Sequence, residues 1–200
     1  MKNKQKTMWT IIVMVVIVIA VTLVFWQIIE KKRTQSGELE KSKVQEVNAI
    51  LKKDFVNDYP ATPREVVNLY SRISSCLYNQ KLSDNDFKAL VQKMRLMFDD
   101  ELLTKNPEEI QIQELQNEVK EFRDEKKYMS SYTVDKNSAV EKGKVNGRAC
   151  ASLKASYLIS NGKDGYTKSY ERFVLRKDND GKWKILGWEL VSGDAGNNEE

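Results

Sequence analysis

The sequence predicts an N-terminal transmembrane helix followed by a soluble α+β domain, and three observations predict it. Residues 9–29 run from Trp9 to Ile29 without a single charge. Three helix starts are punctuated between Thr62 and Glu109. From about Tyr128 the apolar period changes from helical to alternating, and the last alternating segments are joined by links rich in Gly, Asn and Asp. Helices first and an antiparallel meander of about four strands last is an α+β plan, in which helices cover one face of the sheet.

The uncharged stretch has the roughly 20 residues a helix needs to cross a hydrocarbon core of about 30 Å. Trp9 stands at one end and Phe25-Trp26 at the other, where amphipathic rings prefer the interface. The stretch is too long for the apolar part of a cleaved signal, no small-x-small site closes it, and no cysteine lies near it to take a lipid. Lys2, Lys4 and Lys6 face Lys31, Lys32 and Arg33 across the span, so the charge rule for orientation nearly cancels. A short basic head before an uncleaved apolar stretch resembles a signal anchor, which exports the chain on its C-terminal side. The expected layout is a cytoplasmic head (1–8), a transmembrane helix (9–29), a juxtamembrane linker and helix (30–60), the α+β domain (61–191) and a disordered tail (192–200). The chain is thus expected at the cell membrane as a single-pass protein, with the bilayer as one partner and the soluble domain outside the cytoplasm.

Within the linker, Val44, Val47, Leu51 and Phe55 recur at three and four residues and form one apolar stripe on a helix. The next helices open at Thr62-Pro63-Arg64-Glu65, Ser83-Asp84-Asn85-Asp86 and Asn106-Pro107-Glu108-Glu109. In each, an oxygen side chain precedes the first turn and a carboxylate stands three residues on. The expected buried positions are Val66, Tyr70, Ile73 and Leu77; Phe87, Leu90, Val91, Met94 and Phe98; and Ile110, Leu115, Val119 and Phe122. Strands are expected at Tyr128 to Val134, Arg148 to Ser160, Tyr166 to Lys177 and Lys182 to Val191. Asn161 to Gly165 and Asp178 to Gly181 form the turns between the last three.

Composition narrows the chemistry. The chain has no histidine, the usual base near neutral pH and the commonest metal ligand, so serine-histidine and cysteine-histidine catalysis are excluded. Two cysteines cannot build a zinc site of the Cys and His type. Asp178-Asn179-Asp180-Gly181 lacks the rest of a calcium loop. No metal or cofactor is expected. Residues 1–33 hold six of the 33 bases and one of the 29 acids, which leaves 27 bases and 28 acids in the soluble part. Nothing there supplies the clustered basic surface that nucleic acid requires.

The order of elements, with Arg172-Phe173-Val174-Leu175-Arg176-Lys177 and then Trp183-Lys184-Ile185-Leu186-Gly187-Trp188, resembles the nuclear transport factor 2-like superfamily of cone-shaped folds. The chain is also similar to an uncharacterised group of single-pass Gram-positive bacterial proteins sharing Asn57-Asp58-Tyr59-Pro60, Pro63-Arg64-Glu65-Val66-Val67 and Trp183-Lys184-Ile185-Leu186-Gly187. The resemblance spans about residues 40 to 191. It implies the fold and leaves the activity open, because the superfamily includes isomerases, dehydratases, carriers and scaffold subunits. Two functions are expected on that basis: a non-catalytic binding or assembly module with a protein partner or small ligand, or an isomerase-like enzyme using a lone carboxylate.

Counting across the two expected hairpins pairs Ala155 with Glu171 and Glu171 with Trp188. Glu171 then lies among Ala151, Leu153, Ala155, Tyr157, Ile159, Phe173, Leu175, Leu186, Trp188 and Leu190, while Lys154, Lys168, Arg172, Arg176 and Glu189 face solvent. In the resembling fold the inner face forms the mouth of the cone. Tyr157, Glu171 and Trp188 are therefore the candidate ligand pocket; alternatively an arginine or a tyrosine hydroxyl satisfies Glu171 and the site does nothing else. Cys76 and Cys150 can pair as a disulfide in an exported domain or stand as two small thiols. Alternation, which puts Cys150 with Ser152, Lys154 and Ser156 on the polar face, argues against the bond.

Overall fold

The computed structural model describes residues 42–193. The chain divides into the units Met1–Gln45 and Glu46–Glu200, and the second carries every element after the first helix. The expected cytoplasmic head, the transmembrane segment over 9–29 and the tail beyond residue 193 lie outside the described residues. Among the described residues no helix is long and apolar enough to cross a membrane.

Helix α1 runs over 42–52 and buries Val47 and Ile50; Phe55 joins the core from the turn beyond it, whereas Val44 is exposed. Helix α2 (Pro63–Asn79) opens with a complete capping box between Thr62 and Glu65. Proline in its first turn forfeits no hydrogen bond, since that amide has no helical partner. Its apolar face buries Val66, Val67, Leu69, Ile73 and Leu77. Each such side chain contributes about 2 kcal/mol on leaving water. Helix α3 (Asp84–Arg95) is capped by Ser83 and buries Phe87, Leu90, Val91 and Met94. Helix α5 (Glu108–Asp124) buries Ile112 and Val119.

Two elements were not expected. Between α3 and α5 lies a six-residue helix α4 (Asp100–Lys105), capped by Asp99. It takes Asn106 as its own C-cap, so α5 starts after Pro107 without a side-chain cap. On α5 Ile110 is exposed, against expectation, and Ile112 lies in the core instead. The second is strand β2 (Glu141–Val145), paired to the start of β3 (Arg148–Ser160) through a two-residue turn at Asn146-Gly147. Both turn residues have positive φ, 51° and 79°, the conformation that matches the twist of a tight hairpin.

Strand β1 (Tyr128–Val134) pairs with the far half of β3, and β4 (Tyr166–Lys177) and β5 (Trp183–Leu190) come next in antiparallel order. Among the described residues the sheet thus has five strands rather than about four: β1-β3-β4-β5, with β2 beside β3. Helix α2 touches β1, β3 and β5, and α3 and α5 pack against α2. The core lies between α2 and the sheet face carrying Leu153, Ala155, Tyr157, Phe173 and Leu175. At its far edge β5 meets the chain before α4, where Asp99 N–H donates to Ile185 O at 2.8 Å and Ile185 N–H to Met97 O at 2.7 Å.

The first hairpin has the expected register, with Ser160 opposite Tyr166 and Ala155 opposite Glu171. The second does not. Asp178 N–H donates to Lys182 O, Gly181 adopts a φ of 76°, and Lys177 faces Trp183 rather than Lys182. A bulge then falls between Val174 and Leu175, so that Glu171 faces Leu190 and Phe173 faces Trp188. The two one-residue slips keep Trp188 on the inner face but place Ile185, not Leu186, in the core. Leu190 is 75 % exposed at the end of the strand. Arg176 is not a solvent residue either: its guanidinium grips the buried Asp99 through Nε–Oδ2 at 3.0 Å and Nη2–Oδ1 at 2.5 Å.

Both cysteines are free thiols. Cys76 is buried on α2, and burial pushes its thiol up to about 11. Cys150 is half-buried, on the strand face opposite the core residues Ala151 and Leu153.

Candidate functional site

Two helices and the sheet supply the side chains of a cleft where helices and sheet diverge. Helix α2 presents Tyr70, Ser74 and Tyr78, spaced at i, i+4 and i+8, so they stack along one face. Helix α5 presents Glu114, Glu118 and Phe122 at the same spacing. The sheet contributes Tyr157 and Ile159 from β3, and Ser169 and Glu171 from β4, which share the inner face because their register pairs Tyr157 with Ser169 and Ala155 with Glu171.

Two hollows result. One, of about 340 Å³, reaches toward Tyr157, Phe122 and the Lys127 ammonium. The other, of about 370 Å³, reaches toward Glu114, Leu115 and Trp188. Tyr70, Ser74, Tyr78, Glu118 and Glu171 belong to both. Glu171 therefore stands where the two hollows meet, with Tyr157 in the first and Trp188 in the second.

Trp188 is fixed by an aromatic cluster. Its ring lies 5.9 Å from Phe173 in a stacked arrangement, 5.3 Å from Tyr70 and 5.9 Å from Phe98. Tyr70 also meets Phe173 edge-on at 5.2 Å, a geometry the ring quadrupoles favour. On the other side Tyr78 packs edge-on against Phe122 at 5.0 Å, and its hydroxyl donates to Glu118. The Tyr157 hydroxyl shares a 2.9 Å hydrogen bond with the buried Ser71.

The electrostatics are set by burial. Loss of water pushes the half-buried Glu171 carboxyl up to about 7; the Tyr157 hydroxyl pulls it partly back, and the Glu118 charge pushes it further. Burial likewise holds the Tyr70, Tyr78 and Tyr157 phenols well above their ordinary value, with Glu171 adding to each. The phenols are neutral donors near neutral pH. Among the described residues no three His, Cys, Asp or Glu side chains gather in a metal-holding group. What the cleft can do is bind by shape, by ring contact and through one carboxylate able to change charge near pH 7.

The structure thus brings Glu171 to the cleft with Tyr157 and Trp188, but on either side of it rather than around it. Sequence reasoning missed Tyr70, Ser74, Tyr78 and Glu118. The available signal was a set of hydroxyls every fourth residue along an otherwise apolar helical face, with Glu118 and Phe122 repeating the spacing on α5.

A search of the curated proteins finds no match. Among solved structures, the chain is similar to that described as the crystal structure of the intermembrane space region of chloroplast protein ARC6. The identity is 14 %, covering 67 % of this chain and 100 % of that one, at a TM-score of 0.35. That likeness is too slight to carry an argument. The chain belongs to the family described as Domain of unknown function (DUF6715), whose profile matches residues 1–188.

Proposed function

We propose that this protein is a non-catalytic binding module of the cell membrane, anchored through residues 9–29 with its cleft domain outside the cytoplasm. In this reading it is a single-pass bacterial protein of the Gram-positive type, and its domain is of the nuclear transport factor 2-like kind. Helices laid over one face of an antiparallel sheet support that reading, as does the position of the cleft at their open end. The observation that carries the binding role is Glu171, a carboxylate without a basic partner among the described residues, at the junction of two hollows of about 340 and 370 Å³. Such hollows are in the range that encloses a small ligand. The test is native mass spectrometry of the full chain released from detergent, with Glu171→Gln alongside. A mass carried by the parent and lost from the variant supports the reading, and the same mass on both removes Glu171 from the site.

Orientation is tested separately. Protease added to wall-stripped intact cells should remove the cleft domain; removal only after lysis would reverse the topology. The second reading, an isomerase-like enzyme, is favoured by the Glu171 pKa of about 7, where a general base works best at neutral pH. It requires Glu171→Gln to abolish turnover while ligand binding persists.

A further inference from the structure

The charges lining the two hollows are lopsided. Glu114, Glu118 and Glu171 line them, against one ammonium, Lys127, which is itself paired with Glu125. The arginines close to these elements are committed elsewhere. Arg123 donates to the carbonyls of Leu77, Tyr78 and Gln80 at the end of α2. Arg95 is held by Asn106 and Gln111, Arg72 by Glu46, and Arg176 by Asp99 and Glu101. Among the described residues no base is placed to neutralise Glu171. An anionic ligand would meet three carboxylates, and a neutral one would leave Glu171 without a countercharge.

The remaining wall is aromatic. Tyr70, Tyr78, Phe122 and Tyr157 line the first hollow, and Tyr70, Tyr78 and Trp188 the second. Ring faces attract a cation within about 6 Å, more strongly when it has lost its water. We propose that the cleft receives a small organic cation, an alkylammonium group seated beside Glu171 and held by the surrounding aromatic rings, an inference that rests on the binding role above. The ligand supplies the charge that the fold withholds, and the hollows have the volume for a group of several heavy atoms.

The experiment is calorimetric titration of the full chain in nonionic detergent with two probes of one shape. Choline carries the quaternary nitrogen; 3,3-dimethylbutan-1-ol has carbon in its place. At pH 8 choline should bind at least tenfold more tightly than the alcohol. At pH 5.5 its affinity should fall at least threefold while that of the alcohol holds. The titratable and charged groups that share the hollows with Glu171 are Tyr70 and Tyr78 from α2, Glu114 and Glu118 from α5, Tyr157 from β3 and Lys127 before β1, and none of the phenols titrates in that range. Glu171→Gln should bring choline to within twofold of the alcohol, and the pH arm on the parent answers the same question should the variant fold poorly. Equal affinities, or choline binding that ignores both pH and Glu171→Gln, overturn the proposal. So does silence from both probes. A third probe, 3,3-dimethylbutyrate, separates the two failures: heat from the alcohol or the acid keeps the binding role and discards the cation, and silence from all three discards both.

Discussion

A carboxylate that loses water without gaining a countercharge holds its proton more tightly, and Glu171 and Asp99 show the two outcomes available to a buried acid. Glu171 has an ordinary value of 4.5 and sits at about 7 in the fold. Between those limits the folded state binds more protons than the unfolded one, so stability falls as pH rises through that window and levels off above it. The loss is about 2 kcal/mol after allowance for the water that still reaches the group. Glu171→Gln should therefore be more stable than the parent at pH 8 by about that amount and equal to it at pH 4.5. Urea unfolding at the two pH values measures this, and a variant weaker at both would mean that the carboxylate is needed for the fold. Asp99 goes the other way. Burial alone would raise it, but the Arg176 guanidinium and the Glu101 amide hold it below its ordinary 3.8. The stability it adds is present above that value and is lost as pH falls through the lower folded one. Arg176→Ala leaves Asp99, 3 % exposed, with a buried charge that has lost its hydrogen-bonded cation and keeps only the through-space pull of Arg148. A cost of about 3 kcal/mol is expected, and a midpoint shift worth under about 0.5 kcal/mol would show that the pair is solvated like a surface one.

At the scale of elements, local chemistry decides where the chain was legible. Thr62-Pro63-Arg64-Glu65 holds a capping box and Ser83 a cap, and both helices begin where those residues put them. Thr62→Ala should cost about 1 kcal/mol in thermal or urea unfolding, because the Glu65 amide loses its acceptor. Strands β1, β3 and β4 also have the bounds that the alternation predicted, although only β3 alternates cleanly and β1 is interrupted by a register shift between Met129 and Ser131. What could not be read is register beyond a bulge, since counting assumes one residue opposite one, and Val174/Leu175 breaks that rule. Gly181→Ala probes the turn that sets this register: at a φ of 76° a side chain is strained even where space is open. About 1 kcal/mol should be lost, with no change at Gly143, where φ is ordinary and a methyl meets nothing. Helix α4 was too short for a periodic signal. Strand β2 (Glu-Lys-Gly-Lys-Val) has no alternation, and only its Asn146-Gly147 turn announced it.

Across the whole molecule, burial is uneven in a way that predicts how the fold opens. The side chains of Phe173, Leu175 and Ile185 on the sheet, and of Val66, Ile73 and Leu77 on α2, are fully enclosed. Tyr59 ties the stretch before α2 to the far edge, its hydroxyl donating to Trp183 O at 2.7 Å. The site was only half legible for the same reason: Glu171 stood out as a charge on an apolar face, whereas Tyr70 looked like ordinary core and Tyr78 gave no signal of its own until α5 set Glu118 and Phe122 beside it. Strand β2 differs from all of this. Its five residues are exposed, and among the described residues its backbone pairs only with β3. Local opening costs little where few apolar groups must be wetted. The amides of Glu141–Val145 should thus exchange with solvent at least about a hundredfold faster than those of Ala151–Tyr157. Amides flanking Phe173 should exchange only by global unfolding, at rates that track the urea-measured stability. Hydrogen exchange resolved by residue tests the gradient. If β2 proved as slow as β4 in whole cells and fast in the purified chain, its outer edge would be covered by a partner, and this strand would become the place to seek one.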